Sequence, residues 1–229
     1  MLQVHGLEAA YGPSQILFGV DLTVGQGEVV GLIGRNGMGK TTTIRSLFGL
    51  TRRRAGDIRF DGHDLRALSS HRISRLGLGL VPEGRQIFPS LSVRENLLAT
   101  ARGQGPWDLP RILELFAPLA SRLHHAGNHL SGGEQQMLAV GRTLMTHPRL
   151  LILDEATEGL APALRQVIWR ALAALKRSGL AILVVDPSLE RLLSVCDRFV
   201  ILENGRSVWH GTASVLRREP DLARRYLAL

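Results

Sequence analysis

The sequence predicts an α/β fold with a mostly parallel sheet. In the second half of the chain, strand, helix and strand alternate at Leu150–Leu153, Pro162–Arg177 and Leu180–Val185. Such alternation favours parallel pairing through crossover helices. The start of the chain is instead rich in strands, and the middle is helical. These observations predict a parallel core, an antiparallel β subdomain at the N-terminus and an inserted helical subdomain.

The first part of the chain contains short apolar segments separated by turn residues. Strands are predicted at Met1–Ala9, Val20–Val24, Glu28–Gly34, Ile58–Phe60 and Leu78–Val81. The turn residues Asp61 and Gly62 end the fourth of them. A glycine-rich loop follows the strand at Glu28–Gly34, and a helix is predicted from Lys40 to about Phe48.

The segment 92–147 has a helical pattern. Ser92 and Glu95 form a capping-box pattern, and Gly103–Pro106 interrupts the helix that follows. Further helices are predicted at Leu109–Leu119 and from Ser131 to Thr146, where a proline at position 148 ends the last one. We therefore expect a single domain over 1–229, with an α/β core and β subdomain at 1–91 and 148–229 and a helical subdomain at 92–147.

The end of the chain predicts a β-hairpin followed by short helices. The strands are Phe199–Leu202 and Ser207–Trp209, joined by the turn residues Asn204 and Gly205.

Composition indicates a protein of the cytoplasm. The longest apolar runs fall far short of the roughly 20 residues that span a bilayer, and no secretory signal pattern follows Met1. The single cysteine, Cys196, excludes an internal disulfide and suits a reducing compartment. We expect a buried structural thiol.

The chain carries a formal net charge of +8, from 28 basic and 20 acidic residues, and nearly all the basic ones are arginines. Such a charge fits nucleic acid, anionic lipid headgroups or simply solvated surface arginines. No aromatic residues alternate with the arginines as a stacking platform for bases requires. We expect no nucleic-acid partner.

The glycine-rich loop from Gly34 to Thr41 matches the phosphate-binding pattern G-x-x-x-x-G-K-[ST]. Its glycines let the backbone N–H groups approach a phosphate closely, at the N-terminus of the following helix. Lys40 then contacts the β- and γ-phosphates, and the Thr41 hydroxyl binds Mg²⁺. The predicted nucleotide-binding residues here are Gly34, Asn36, Gly37, Gly39, Lys40, Thr41 and Thr42.

Two carboxylates end a buried strand further along the chain. Asp154 and Glu155 follow four apolar residues, at the strand end where ligand crevices open in parallel sheets. A carboxylate at hydrogen-bond distance from a water can accept its proton. These two residues are candidates for metal binding and general-base catalysis.

Between these motifs lies Leu-Ser-Gly-Gly-Glu-Gln-Gln at 130–136, which we call the signature. Alone, Ser131 and Glu134 fit the capping box of a helix start. With the phosphate loop before it and the carboxylates after it, the order resembles the ATP-binding-cassette (ABC) ATPases. This resemblance covers the whole chain.

The resemblance implies a P-loop ATPase that uses ATP and Mg²⁺. Asp154 would hold Mg²⁺, Glu155 would polarise the attacking water, and Tyr11 would stack on adenine. Ser131, Gly132, Gly133 and Glu134 would act in trans, capping the γ-phosphate bound by a second subunit. Two half-sites would then form one working site, and the segment at 157–162 would cross the same interface.

Two positions depart from the common family pattern. Glu83 stands where most members carry a glutamine that contacts Mg²⁺, and it is a third candidate metal ligand beside Thr41 and Asp154. Pro187 stands where most carry a switch histidine, and proline has no donor for a γ-phosphate. Neither departure by itself indicates an inactive site.

The stretches at 81–85, 133–138 and 158–162 resemble one branch, which supplies one of two paralogous ATPases to bacterial importers of branched-chain amino acids and related compounds. The implied partners are two membrane permeases, a paralogous ATPase (or a second copy of this chain) and, indirectly, a periplasmic binding protein. The implied location is the cytoplasmic face of the inner membrane. Alternatives are an ATPase that drives export of an envelope lipid component, a soluble ABC protein without a transport role and a regulatory nucleotide-binding subunit.

Overall fold

The computed structural model describes residues 1–51 and 53–227, which form two β-sheets with helices around them. Within these residues the strands are β1 (Leu2–Tyr11), β2 (Ser14–Val24), β3 (Val29–Ile33), β4 (Arg53–Phe60), β5 (His63–Asp64), β6 (Leu78–Val81), β7 (Leu150–Asp154), β8 (Ala181–Val185), β9 (Arg198–Glu203) and β10 (Arg206–Thr212). The helices are α1 (Lys40–Leu47), α2 (Ser70–Arg75), α3 (Val93–Ala99), α4 (Leu109–Leu115), α5 (Ala117–Ala120), α6 (Gly132–Leu144), α7 (Pro162–Arg177), α8 (Leu189–Val195), α9 (Ala213–Arg218) and α10 (Pro220–Leu227).

The predicted fold class is confirmed. The first sheet is antiparallel, in the order β2-β1-β4-β5. The second has the order β10-β9-β3-β8-β7-β6, and only its β9–β10 pair is antiparallel. Because β3, β7 and β8 are neighbours or near neighbours and run parallel, the loops that follow them open at one edge of the sheet.

The central sheet separates two hydrophobic cores. Successive side chains of a strand point to opposite faces, and β3, β7 and β8 are buried on both. In β3, Val29 and Ile33 join the core shared with the helices, whereas Val30 and Leu32 join the core shared with the first sheet. The strand ends that carry the motifs therefore rest on a sheet packed on both sides.

One predicted helix is wrong. The segment Leu109–Leu119 is broken at the buried Phe116, whose φ of −125° and ψ of 65° leave the helical region. The cause is Pro118, because a proline in a helix interior lacks the N–H donor and its ring clashes with the carbonyl four residues earlier, here that of Glu114. The short helices α2 and α8 were not predicted, and β2 and β4 begin earlier than the sequence indicated.

The signature helix and the terminal hairpin lie where the sequence predicts them. The division into a core at 1–91 and 148–229 and a helical subdomain at 92–147 stays a prediction. Cys196 is buried, as expected, and burial raises the pKa of its thiol well above the usual range. Within residues 1–51 and 53–227, no helix combines the length and apolar character needed to cross a bilayer.

Candidate active site

The phosphate loop connects β3 to α1 and depends on its glycines. Gly37 and Gly39 have φ values of 79° and 100°, in the left-handed region that glycine adopts without a steric penalty. A Cβ at Gly39 would lie 2.6 Å from Leu17, and one at Gly34 would lie 2.3 Å from the Leu202 carbonyl oxygen. No side chain caps the N-terminus of α1, so its first N–H groups point toward the loop.

Lys40 lies almost buried beneath this loop. Its Nζ donates to the carbonyl oxygens of Gly34 at 3.0 Å and Arg35 at 3.1 Å. The same Nζ lies 3.9 Å from Glu155 Oε1. The loop is therefore wrapped around a single fixed ammonium group, which is the arrangement that attracts phosphate oxygens.

A cleft of about 340 Å³ opens beside the loop. It is lined by Tyr11, Ile16, Asn36, Gly37, Gly39, Lys40, Thr41, Thr42, Glu83 and Glu155. Tyr11 is 41% exposed at the turn of the β1–β2 hairpin, and the Arg45 guanidinium lies 6.0 Å from its ring centroid. An exposed ring at a cleft mouth can stack on a planar base.

Asp154 and Thr41 face one another across the end of the sheet. Thr41 Oγ1 donates to Asp154 Oδ1 at 3.3 Å. Burial raises the pKa of Asp154 to about 6; the Thr41 hydrogen bond opposes this shift and the Glu83 carboxylate adds to it. Glu83 lines both the cleft around Lys40 and an adjoining cleft with Asp154.

These oxygens fit a magnesium ion. A hard cation prefers hydroxyl and carboxylate oxygens, and it would favour the ionised form of a carboxylate that burial disfavours. Among the residues that the structure describes, no group of three or more His, Cys, Asp or Glu side chains is placed to hold a metal. An ion held by Thr41 and Asp154 would therefore need phosphate oxygens or water as further ligands, as is usual for Mg²⁺.

Glu155 has a left-handed backbone conformation, which is unusual for a residue other than glycine. Its φ of 53° is left-handed, which costs a non-glycine residue about 1–2 kcal/mol. Its N–H donates to the Val185 carbonyl at 2.9 Å. Burial and then the adjacent Glu158 raise the pKa of Glu155 to about 7. A carboxyl group poised near neutrality is suited to accept a proton from water.

The C-terminal hairpin braces the phosphate loop. The Gly205 N–H donates to the Met38 carbonyl at 3.2 Å, and the Gly205 carbonyl accepts the Phe18 N–H at 2.8 Å. Gly205 has a φ of 72°, and a Cβ there would lie 2.0 Å from the Ile16 carbonyl oxygen. The loop is therefore held between β2 and the turn of the β9–β10 hairpin.

The signature begins α6 with a complete capping box. The Glu134 N–H donates to Ser131 Oγ at 3.4 Å, and the Ser131 N–H donates to Glu134 Oε2 at 2.8 Å. Neither Ser131 nor the two glycines after it line the clefts around Lys40 and Asp154. The sequence motif thus lies outside the cleft that holds the chain's own phosphate loop.

Packing explains why both signature positions are glycines. A Cβ at Gly133 would lie 2.3 Å from Leu164 on α7. A Cβ at Gly132 would lie 2.7 Å from the Arg85 guanidinium, which also donates to Gln135 Oε1 at 3.4 Å. The loop after β6, which carries Glu83, therefore contacts the start of the signature helix through Arg85.

Sequence reasoning missed two groups near the site. Pro187 is exposed and lines neither cleft, but the preceding Asp186 is buried and accepts a hydrogen bond from the Thr157 hydroxyl. Arg45 lies between Tyr11 and the cleft around Asp154. A charged residue directly after an apolar strand is a weak signal for Asp186, and only its position beside Pro187 could have drawn attention to it.

Comparison with known proteins agrees with this geometry. The profile of the family described as ABC transporter matches residues 17–158, more than half of the chain. The high-affinity branched-chain amino acid transport ATP-binding protein BraG of Pseudomonas aeruginosa is 40% identical, over 99% of this chain and 99% of that protein. The lipopolysaccharide export system ATP-binding protein LptB of Escherichia coli is 34% identical, over 99% of this chain and 96% of that protein.

A solved structure described as the ATP-binding subunit of an ABC transporter superimposes with a TM-score of 0.85 and 32% identity, covering 100% of this chain and 96% of that one. The predicted family is therefore confirmed by sequence and by fold. This chain belongs to the ABC transporter family, as one of the subunits that bind ATP and couple its hydrolysis to transport.

Proposed function

We propose that this chain energises the import of branched-chain or related amino acids or amides across a bacterial inner membrane, from the cytoplasmic face. The observation that carries the substrate class is the full-length similarity to BraG, at 40% identity against 34% for LptB. The residues at 81–85 and 158–162, which resemble those of the importer ATPases for branched-chain amino acids, support the same assignment. An exporter of a lipid-linked envelope component is the second candidate, supported by the LptB similarity.

In this proposal the cleft around Lys40 binds ATP. Lys40 exchanges its bonds to the loop carbonyls for bonds to phosphate oxygens, and the N–H groups at the start of α1 surround the same phosphates. Tyr11 stacks on the adenine. Thr41 and Asp154 would hold Mg²⁺, which would neutralise phosphate charge when bound.

Glu155 supplies the general base. Its carboxylate accepts the proton of a water whose oxygen bonds to the γ-phosphorus, while the bond from that phosphorus to the β,γ-bridging oxygen breaks. The products are ADP and inorganic phosphate. The nearby Lys40 cation, 3.9 Å from Glu155, favours the ionised form that this step requires.

The signature acts on a second subunit. Ser131 and the N–H groups after it begin a 13-residue helix, so they carry the partial positive charge of its N-terminus. Because they lie outside their own cleft, we propose that they cap the γ-phosphate of a partner ATPase. A paralogous partner is expected, with a second copy of this chain as the alternative.

The membrane permeases bind, in this proposal, at a groove between the α/β core and the helices. The groove is lined by apolar and hydroxyl side chains around Arg142, and two of its apolar residues, Leu50 and Phe88, are 46% and 41% exposed. Exposed large apolar side chains at a concave surface are typical of a protein interface. Leu50 also lines the cleft of Asp154, so the groove adjoins the candidate active site.

The decisive experiment is reconstitution with the two permeases and the binding protein of a branched-chain amino acid importer. ATP-dependent uptake of a radiolabelled branched-chain amino acid, dependent on the binding protein, is the expected result. Leu50→Asp and Phe88→Asp should each weaken co-purification with the permeases, whereas Val208→Asp, at another exposed apolar position, should not. Lipid-linked export genes as neighbours, with no amino-acid uptake, would favour the exporter instead.

A further inference from the structure

Two loops leave the central sheet side by side at the candidate active site. Strands β7 and β8 pair in parallel with Asp154 opposite Val185. The loop after β7 contains Glu155 and Thr157, and the loop after β8 begins with Asp186. Both loops therefore start at the same level of the sheet, where their side chains can meet.

A buried hydrogen bond joins the two loops. The Thr157 hydroxyl donates to Asp186 Oδ2, and the two residues are only 2% and 6% exposed. Asp186 Oδ1 accepts the Ser188 N–H at 2.9 Å, so both carboxylate oxygens are engaged. Burying a carboxylate is costly unless it is hydrogen-bonded, and here one of its two partners comes from the loop that carries Glu155.

Glu155 lies between two attachments of its loop to the end of β8. Its own N–H donates to Val185, and two residues later Thr157 donates to Asp186. Its left-handed backbone persists only where the surroundings hold it. Removing the second attachment frees the chain after Glu155 to relax toward an extended conformation, which redirects the carboxylate.

We propose that Asp186 is a positioning residue for ATP hydrolysis. Through Thr157 it fixes the loop that aims the Glu155 carboxylate into the cleft. It also connects that loop to Pro187, which itself has no donor for a γ-phosphate. The inference rests on the proposed role of Glu155 as general base, and neither Asp186 nor Thr157 lines the cleft or contacts the nucleotide itself.

The test compares variants of matched shape in the full chain, assembled with its partners. Thr157→Val removes only the hydroxyl, Asp186→Asn keeps the shape of the side chain, and Thr157→Ser restores the donor. We expect Thr157→Val and Asp186→Asn to lower kcat by about 10- to 100-fold, the range that follows from misplacing a reacting group by about 1 Å. The ATP Kd should stay within about threefold, because Lys40 and Thr41 lie on another element, and Thr157→Ser should recover most of the rate.

Two further comparisons separate positioning from general damage. In a Glu155→Gln background, Thr157→Val should not slow the residual rate further, and the double variant Thr157→Val/Asp186→Asn should be no slower than the worse single variant. Ser178→Ala is the control, because it removes a hydroxyl that donates to the Leu175 carbonyl at the end of α7, away from the cleft and from the permease groove. It should leave kcat unchanged.

The outcomes distinguish this inference from the proposed function. Hydrolysis at the wild-type rate in Glu155→Gln overturns the general-base role itself. An inactive Glu155→Gln protein together with a wild-type kcat in Thr157→Val overturns the positioning role alone. An equal loss of nucleotide affinity and kcat in Thr157→Val also overturns it, because the hydroxyl would then support the fold of the whole site.

Discussion

Lys40 is bonded to its own loop, so a nucleotide has to replace two lysine–carbonyl hydrogen bonds. Hydrogen bonds to charged groups contribute about 1.5–3 kcal/mol, and the ammonium makes them with the Gly34 and Arg35 carbonyls. We predict that Lys40→Ala weakens ATP affinity by about 10- to 100-fold. Fluorescence titration measures it, and Lys176→Ala, at the other lysine of the chain, is the control. Unchanged affinity in Lys40→Ala would contradict the nucleotide assignment.

The pKa of Glu155 predicts how activity depends on pH. A general base has to be ionised, and burial raises the pKa of this carboxyl to about 7 in the free protein. Because kcat/KM reports the free enzyme, we expect it to rise with pH through about 7 and to fall in acid. The ATP phosphates titrate identically for every variant. The ratio of the wild-type kcat/KM to that of Glu155→Gln therefore reports the titration of the Glu155 carboxyl. A ratio that stays flat between pH 6 and pH 8 would assign the base to another group.

At the scale of elements, the two capping boxes separate structural from functional roles. Ser92 caps α3 and Ser131 caps α6 with the same pattern of hydrogen bonds. Each Ser→Ala change should cost about 0.5–2 kcal/mol of stability. Only Ser131→Ala should also lower the ATPase rate of the assembled transporter, since only this serine begins the signature. Urea unfolding and ATPase assays measure both effects, and equal ATPase losses would remove the case for a direct role of Ser131.

The β9–β10 hairpin should contribute to nucleotide binding although no residue of it touches the cleft. Gly205 and Gly62 both have positive φ values, but only at Gly205 would a Cβ meet other atoms. Gly62→Ala should therefore cost about 1–2 kcal/mol, and Gly205→Ala roughly 2–5 kcal/mol. Gly205→Ala should also weaken ATP binding, because it displaces the turn that holds Met38. Thermal unfolding and titration of the two variants test this difference.

The elements that the sequence predicted well are those whose backbone conformation is determined by residues close by in the sequence. The glycines before Lys40 and the caps at Ser92 and Ser131 encode a loop or helix start within a few residues. The short helices α2 and α8 were missed because helices of six or seven residues depend on tertiary packing rather than on their own pattern.

Contacts between distant loops could not be predicted in the same way. The bond from Thr157 to Asp186 and the packing of Arg85 on Gly132 join residues that are far apart in sequence. Both depend on the order in which the strands enter the sheet, and no local pattern records that order. The sequence motifs predicted which residues belong to the candidate site. The strand order of the sheet determines which of these residues are in contact.

For the whole molecule, the departures at Glu83 and Pro187 predict unequal active sites. Glu83 adds negative charge to the clefts of Lys40 and Asp154, and Pro187, outside both clefts, offers no donor at the position of the family's switch histidine. Transition states that spread negative charge need positive groups or donors placed in advance. If the partner is a paralogous ATPase, we expect the site built on Lys40 to be the slower one, and this chain alone to hydrolyse ATP slowly.

Disabling each phosphate loop in turn within the reconstituted transporter measures this asymmetry. Single-turnover rates should be lower for the complex that keeps only the Lys40 site. Glu83→Gln should raise that rate, since it removes the charge and keeps the shape of the side chain. Equal rates at the two sites would show that another group supplies the missing donor.

The single cysteine of the chain makes a cross-linking experiment possible. Cys196 is packed near Gly31 and Phe199, and burial keeps its pKa high, so the thiolate that maleimides attack hardly forms. The wild-type chain should therefore not react with a maleimide, so that labelling reports only a cysteine that is introduced. Asn36→Cys in one subunit and Ser131→Cys in the other would form an intersubunit disulfide under oxidation only where a signature meets the opposite phosphate loop. A dimer band on a non-reducing gel would then report head-to-tail assembly directly.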